Sequence, residues 1–167
     1  MLKGKTALVT GSTSGIGLGL AKALAAQGAN IVMNGFGEVD AAVAQVKALG
    51  AQVSYHGADM SKPAEIEAMV RHAEATFGGV DILVNNAGIQ HVARVENFPP
   101  ERWDAVIAIN LSSAFHACRC ALPGMQARNW TGDVTKANAD LAYVPLTDPI
   151  HVGALTQAVY GAQADPT

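Results

Sequence analysis

Thr10-Gly11-Ser12-Thr13-Ser14-Gly15-Ile16-Gly17 follows directly on the apolar run Thr6-Ala7-Leu8-Val9. A short strand of β-branched and aliphatic residues thus turns sharply, through glycines, into an amphipathic helix with Ile16, Leu20 and Leu24 on one face. Such a turn gathers the unpaired N–H groups of a helix N-terminus at one point, where a pyrophosphate can sit. Gly11, Gly15 and Gly17 permit the tight bend and leave the backbone open to close approach by an anion. The stretch predicts a dinucleotide-binding βαβ unit.

Strand signals and helical periods alternate outward from it. The first strand is read as Thr6 to Thr10 and its helix as about Ile16 to Gln27, closed by Gly28. Asn30 to Asn34 reads as a second strand, Val39 to Leu49 as a helix closed by Gly50, and Gln52 to His56 as a third strand. The next helix is expected to start at Ser61 as N-cap, to bury Ile66, Met69, Val70, Ala73 and Phe77, and to end at Gly78-Gly79. Asp81 to Asn86 is the fourth strand, with Ile82-Leu83-Val84 unbroken, as expected when both sheet faces are covered. Pro99-Pro100 opens a long helix to about Arg128, with an apolar stripe of Trp103, Val106, Ile107, Leu111 and Phe115. This rhythm demands a parallel sheet with right-handed crossovers, so the fold class is α/β, a Rossmann-like doubly wound sheet of order 3-2-1-4. Ligand is expected beyond the carboxyl ends of strands one and four, where the order reverses.

From about Thr131 the rhythm fails, and no strong fifth strand follows. Leu141 to Leu146 offers a short strand and Ile150 to Ala162 a helix. The domain reading is therefore 1–130 as a truncated Rossmann-like unit and 131–167 as a divergent, irregular or helical tail. Strand four is then expected to be an apolar edge, and the long helix to carry an uncovered stripe suited to homo-oligomer formation.

Composition narrows the class. A net charge of −3 and half the residues hydrophobic favour neither nucleic acid nor an anionic membrane surface. No leader or uninterrupted bilayer-length apolar stretch is read, so a cytoplasmic protein without membrane association is expected. Cys118 and Cys120 stand two apart in a helical pattern, where their side chains diverge and cannot easily bridge. No metal-ligand pattern is read.

A second motif, Asn85-Asn86-Ala87-Gly88, closes the fourth strand. Taken with Thr-Gly-x-x-x-Gly-x-Gly at the first turn and Asp59 after the third strand, it resembles the short-chain dehydrogenase/reductase family over residues 1–130. Gly88-Ile89-Gln90-His91, Asn34-Gly35-Phe36-Gly37 and Met1-Leu2-Lys3-Gly4-Lys5 are similar to its bacterial members that interconvert D-3-hydroxybutyrate and acetoacetate with NAD. The resemblance implies a nicotinamide cofactor cradled by Gly11, Ser14, Gly15, Ile16 and Gly17, with the Asp59 carboxylate accepting a hydrogen bond from the adenine amine. It implies that Asn86, Ala87 and Gly88 support the nicotinamide ribose side, that Asn110 holds a relay water, and that Gln90 meets the carboxylate of a small 3-hydroxy acid or ketone. Phe36 is expected beside the adenosine.

Charge decides between the cofactors. Ser12, Thr13 and Ser14, and the run Asn34 to Glu38, hold no cation for a 2′-phosphate, and Glu38 would repel one, so NAD is expected. In the family a Tyr and a Lys four apart on one helix supply the proton, with a Ser orienting the carbonyl; the Lys charge pulls the phenol pKa toward neutrality. After Trp130 the tyrosines are Tyr143 and Tyr160, neither with a lysine four residues on; the lysine of this stretch, Lys136, precedes both, and no serine occurs there. Two readings follow: an impaired or inactive relative of these dehydrogenases, or a non-catalytic NAD-binding module that associates with a full-length relative.

Overall fold

A computed structural model describes residues 2–128. Four short parallel strands, β1 (Thr6–Val9), β2 (Asn30–Met33), β3 (Val53–Tyr55) and β4 (Ile82–Val84), form one sheet of order β3-β2-β1-β4. Thr6 pairs with Asn30 and Ala7 with Ile82, which brings the carboxyl ends of β1 and β4 side by side. The expected fold class and strand order are therefore observed. The short strand expected at 141–146 and the helix expected at 150–162 lie outside the described residues.

Alternation along the strands separates two cores. Ala7, Val9, Ile31, Met33 and Val84 face α1 (Gly15–Ala26) and α2 (Val39–Lys47). Leu8, Val32 and Leu83 face α3 (Pro63–Phe77) and a later helix on the other side. That second core contains Ile66, Met69, Val70 and Ala73 at the helical spacing read from the sequence, with Phe77 partly buried against it. Among the described residues β4 pairs with β1 alone and is an edge.

Two local expectations are corrected. Ser61 is not the cap of α3: Pro63 holds the first helical position, so the extended Lys62 becomes the N-cap and the Ser61 hydroxyl bonds Asp59 instead. Ile16 does not join the buried face of α1: it is 72% exposed, and Gly17, Leu20, Ala21 and Ala25 pack instead. The expected long helix is observed, with a π-helical turn inside it that its period did not announce. It runs as α4 (Pro100–Ile107), a π-helical turn (Ala108–Ser112) and α5 (Ser113–Ala127).

The run Pro100–Ala127 is long and apolar enough, by length and composition, to cross a membrane, contrary to the expectation of no such stretch. Here one side of α5 packs Ala117, Ala121 and Met125 into the core shared with α3. Its end is pinned by Arg128, which donates to the Val80 carbonyl at 2.6 Å and lies 3.5 Å from the Asp81 carboxylate. Of the stripe expected along this helical run, Trp103, Leu111 and Phe115 are exposed, while Val106 and Ile107 are partly buried. No disulfide joins Cys118 and Cys120.

Candidate functional site

The cleft forms where β1 and β4 end together. Thr10 is the joint: its hydroxyl donates to the Val84 carbonyl at 3.3 Å and accepts the backbone N–H groups of Asn86 and Ala87, each at 3.0 Å. The Asn86 side chain returns the connection, its Nδ2 donating to the carbonyls of Thr10 (2.9 Å) and Gly11 (3.1 Å). The glycine turn and the end of β4 are thus one bonded unit.

Each motif glycine has its own reason. Gly11 sits at φ +62°, and a Cβ there would lie 2.9 Å from Ala87 Cα. Gly17 packs so closely that a Cβ would collide with the Gly11 carbonyl and with Asn86 Nδ2. Gly15, at φ +52°, meets nothing within 4 Å, so its missing side chain leaves open space at the start of α1. Ser14 is the α1 N-cap without a side-chain capping bond, and no acidic residue occupies the first turn. The helix N-terminus therefore retains its unpaired donors and its positive end for an anion.

A cleft of about 280 Å³ opens in front of this turn, lined among others by Gly11, Ser14, Phe36, Asp59, Asn86, Ala87 and Gly88. Those seven expected cofactor residues converge on one space. Gly15 and Ile16 stand in the first turn of α1, and Gly17 lies behind it as the helix–strand contact. Gln90 is exposed and is not among the residues that line the cleft.

Phe36 is 66% exposed, and its loop is built rather than loose. Thr13 Oγ1 donates to the Phe36 carbonyl and Tyr55 Oη to the Gly35 carbonyl, both at 2.6 Å. On the opposite wall Asp59 Oδ1 accepts from the Ser61 N–H (2.9 Å) and hydroxyl (2.7 Å). Those bonds, first the backbone one, hold the Asp59 carboxyl below the usual carboxylate range. It stays an acceptor through neutral pH.

The Asn110 amide clasps one peptide: Oδ1 accepts from the Ile89 N–H and Nδ2 donates to the Ile89 carbonyl, both at 2.9 Å. The π-helical turn carries Asn110 and fixes the loop after Gly88 against the helix. The amide is thereby occupied. Among the described residues the tyrosine is Tyr55, on the side of the cleft away from Asn110; Tyr143 and Tyr160 lie outside them.

Sequence reading gave no bracing role to Thr10, Thr13, Asn34 or Tyr55, which hold the cleft together beside the motif glycines. A signal existed for two of them. Thr10 and Asn34 are polar residues closing apolar parallel strands, where a side chain without partners is costly.

A parallel sheet of this order, with a glycine turn over its point of reversal, defines the Rossmann-like class of nucleotide-binding folds. The chain belongs to the short-chain dehydrogenase family, whose sequence profile matches residues 5–145, beyond the last described residue. It is 72% identical over 132 residues to the D-beta-hydroxybutyrate dehydrogenase of Cupriavidus necator, covering 78% of this chain and 51% of that protein. It is 51% identical over 139 residues to the enzyme of the same name from Rhizobium meliloti, covering 81% and 54%. The chain spans about half the length of these curated relatives. A metagenomic short-chain oxidoreductase solved with NADP superposes with a TM-score of 0.73 at 33% identity, covering 77% of this chain and 59% of that one.

Proposed function

We propose that the cleft binds NAD, and that its ancestry is hydride transfer between 3-hydroxybutyrate and NAD. The supporting observation is the convergence of Gly11, Ser14, Phe36, Asp59 and Asn86–Gly88 on one cleft in front of an uncapped helix N-terminus. The residues fit the cofactor's chemistry. Open space at Gly15 and the free N–H groups suit the pyrophosphate, and the ionised Asp59 suits an exocyclic amine. Bound NAD supplies a hydride acceptor; the protein holds and orients it.

No cation lies at Ser12–Ser14 or from Asn34 to Glu38 to receive a 2′-phosphate, which supports NAD over NADP. Gln90 is assigned to the substrate carboxylate and Asn110 to a relay water by family likeness. With its amide closed on Ile89, Asn110 acts in that role through its backbone or by keeping the loop in place.

Turnover by this chain is impaired. Neither Tyr143 nor Tyr160 is followed by a lysine four residues on, so the pairing by which the family draws a phenol toward proton transfer at neutral pH is missing from the sequence. The second reading, a non-catalytic NAD-binding module joined to a full-length relative, draws support from the exposed Trp103, Leu111 and Phe115. Calorimetric titration of NAD and of NADP into the full chain, beside an NADH-absorbance assay with 3-hydroxybutyrate, separates these readings. NAD binding with little turnover is expected. Family-like turnover refutes the impaired chemistry, and absence of binding refutes the cofactor assignment.

A further inference from the structure

The three walls of the cleft belong to three strand ends: Gly11 after β1, Phe36 after β2, and Asp59 after β3. One side chain touches all three connections. Asn34 follows β2 directly, is 1% exposed, and has its carboxamide filled. Its Oδ1 accepts the Gly11 N–H at 3.3 Å, and its Nδ2 donates to the carbonyls of His56 (3.0 Å) and Ala58 (2.9 Å), the residue before Asp59. Its backbone is held as firmly: the Asn34 carbonyl accepts the Ser12 N–H at 2.6 Å, and the Asn34 N–H donates to Ser12 Oγ at 3.0 Å.

We propose that Asn34 is the positioning residue of the dinucleotide site, fixing the phosphate turn, the Phe36 loop and the Asp59 wall in one register. This deepens the NAD reading and rests on it. The donor pattern admits only a neutral amide in this orientation. An amide turned over sets its NH2 against the Gly11 N–H and its oxygen against two carbonyls. A carboxylate keeps the Gly11 bond but faces the His56 and Ala58 oxygens with no hydrogen to offer. A carboxylic acid restores one of those bonds. The end of β2 is therefore a brace of the site's own walls, and Phe36, two residues on, is presented to ligand by it.

This predicts a signature that a general loss of packing does not produce. In Asn34→Asp the buried carboxyl is protonated when NAD is held well and ionised when it is not. The NAD affinity of Asn34→Asp is expected within about tenfold of wild type at about pH 5, where one of the two carbonyl bonds is missing, and at least about tenfold weaker again at about pH 8, the worth of roughly one further hydrogen bond. The titratable neighbours facing this position are His56, through its own backbone acceptor, and Asp59. Both are present in wild type, so the wild-type profile measured alongside removes their contribution.

The experiment is calorimetric titration of NAD into full-length wild type, Asn34→Asp and Asn34→Leu across that pH range, with circular dichroism to confirm folding. In parallel, hydrogen exchange of the Gly11 amide is followed without ligand. Asn34→Leu is expected to lose NAD affinity equally at all pH and to speed Gly11 exchange. A flat Asn34→Asp profile, parallel to wild type, overturns the brace. If wild type itself takes up no NAD, the cofactor reading fails, and the ligand-free Gly11 exchange of Asn34→Asp decides the brace: protection lost with rising pH supports it, protection unchanged overturns it.

Discussion

Replacing Thr10 by Val tests whether the joint between β1 and β4 is held by a hydroxyl or by shape. The side chain is 1% exposed, and valine fills the same volume, so no cavity forms. What changes is bonding: the N–H groups of Asn86 and Ala87 lose their 3.0 Å acceptor, while the Val84 carbonyl keeps the Thr10 backbone N–H at 3.0 Å. An unsatisfied buried N–H costs about 1–3 kcal/mol. Both groups are only partly buried, so water recovers some of this, and a total loss of about 2–4 kcal/mol is expected. That is a large fraction of the 5–15 kcal/mol or so that ordinarily holds a domain folded. Urea unfolding of the full chain, followed by far-UV circular dichroism, measures it through the midpoint at unchanged slope. Thr10→Ser keeps the hydroxyl and drops one methyl, so it should lose only about 1 kcal/mol. A Val variant within about 0.5 kcal/mol of wild type, or a Ser variant falling as far as Val, refutes the reasoning.

Further outcomes follow from the same geometry. Gly17→Ala drives a methyl into the Gly11 carbonyl and Asn86 Nδ2, and should cost about 1–3 kcal/mol in urea unfolding and weaken NAD; Gly15→Ala, with open space around it, should cost only its left-handed backbone, about 1 kcal/mol. Equal losses would count against this account. Burial first, and then the neighbouring His72, hold His56 below its ordinary 6.5, with Glu65 opposing. The unfolded chain therefore takes a proton that the folded chain refuses, so stability falls as pH drops below about 6.5 and levels off below the folded value. His56→Asn should flatten that slope of urea midpoint against pH; a slope that survives assigns it elsewhere. Phe115→Asp, on the exposed stripe, should shift sedimentation toward monomer with stability changed by less than about 0.5 kcal/mol; a wild-type protein already monomeric removes the oligomer proposal.

The walls of the cleft were legible where a residue type carries a backbone consequence. Glycines at 11 and 15 announce a turn because few other residues adopt its left-handed backbone, Gly17 marks a close helix–strand approach, and Asp59 and Asn86–Gly88 fall in place because strands of known order end together. The N-cap of α3 falling at Lys62 rather than Ser61 was a competition between a good cap and a proline, decided by local backbone restriction. The π-helical turn at Ala108–Ser112 had no sequence period to betray it. It became visible only with the Ile89 peptide seated against Asn110.

Periodicity and glycine placement alone determined the parallel α/β sheet, its order and the cleft's location, because crossover handedness leaves few ways to connect alternating strands and helices. Only the folded chain decided which polar side chains bind those strand ends together. Thr10 joins residues 76 and 77 positions away, and Asn34 reaches others 22 to 24 positions to either side. Hydrogen bonds of that reach depend on where the backbone carries its unpaired groups, and a linear pattern of residue types does not contain that information.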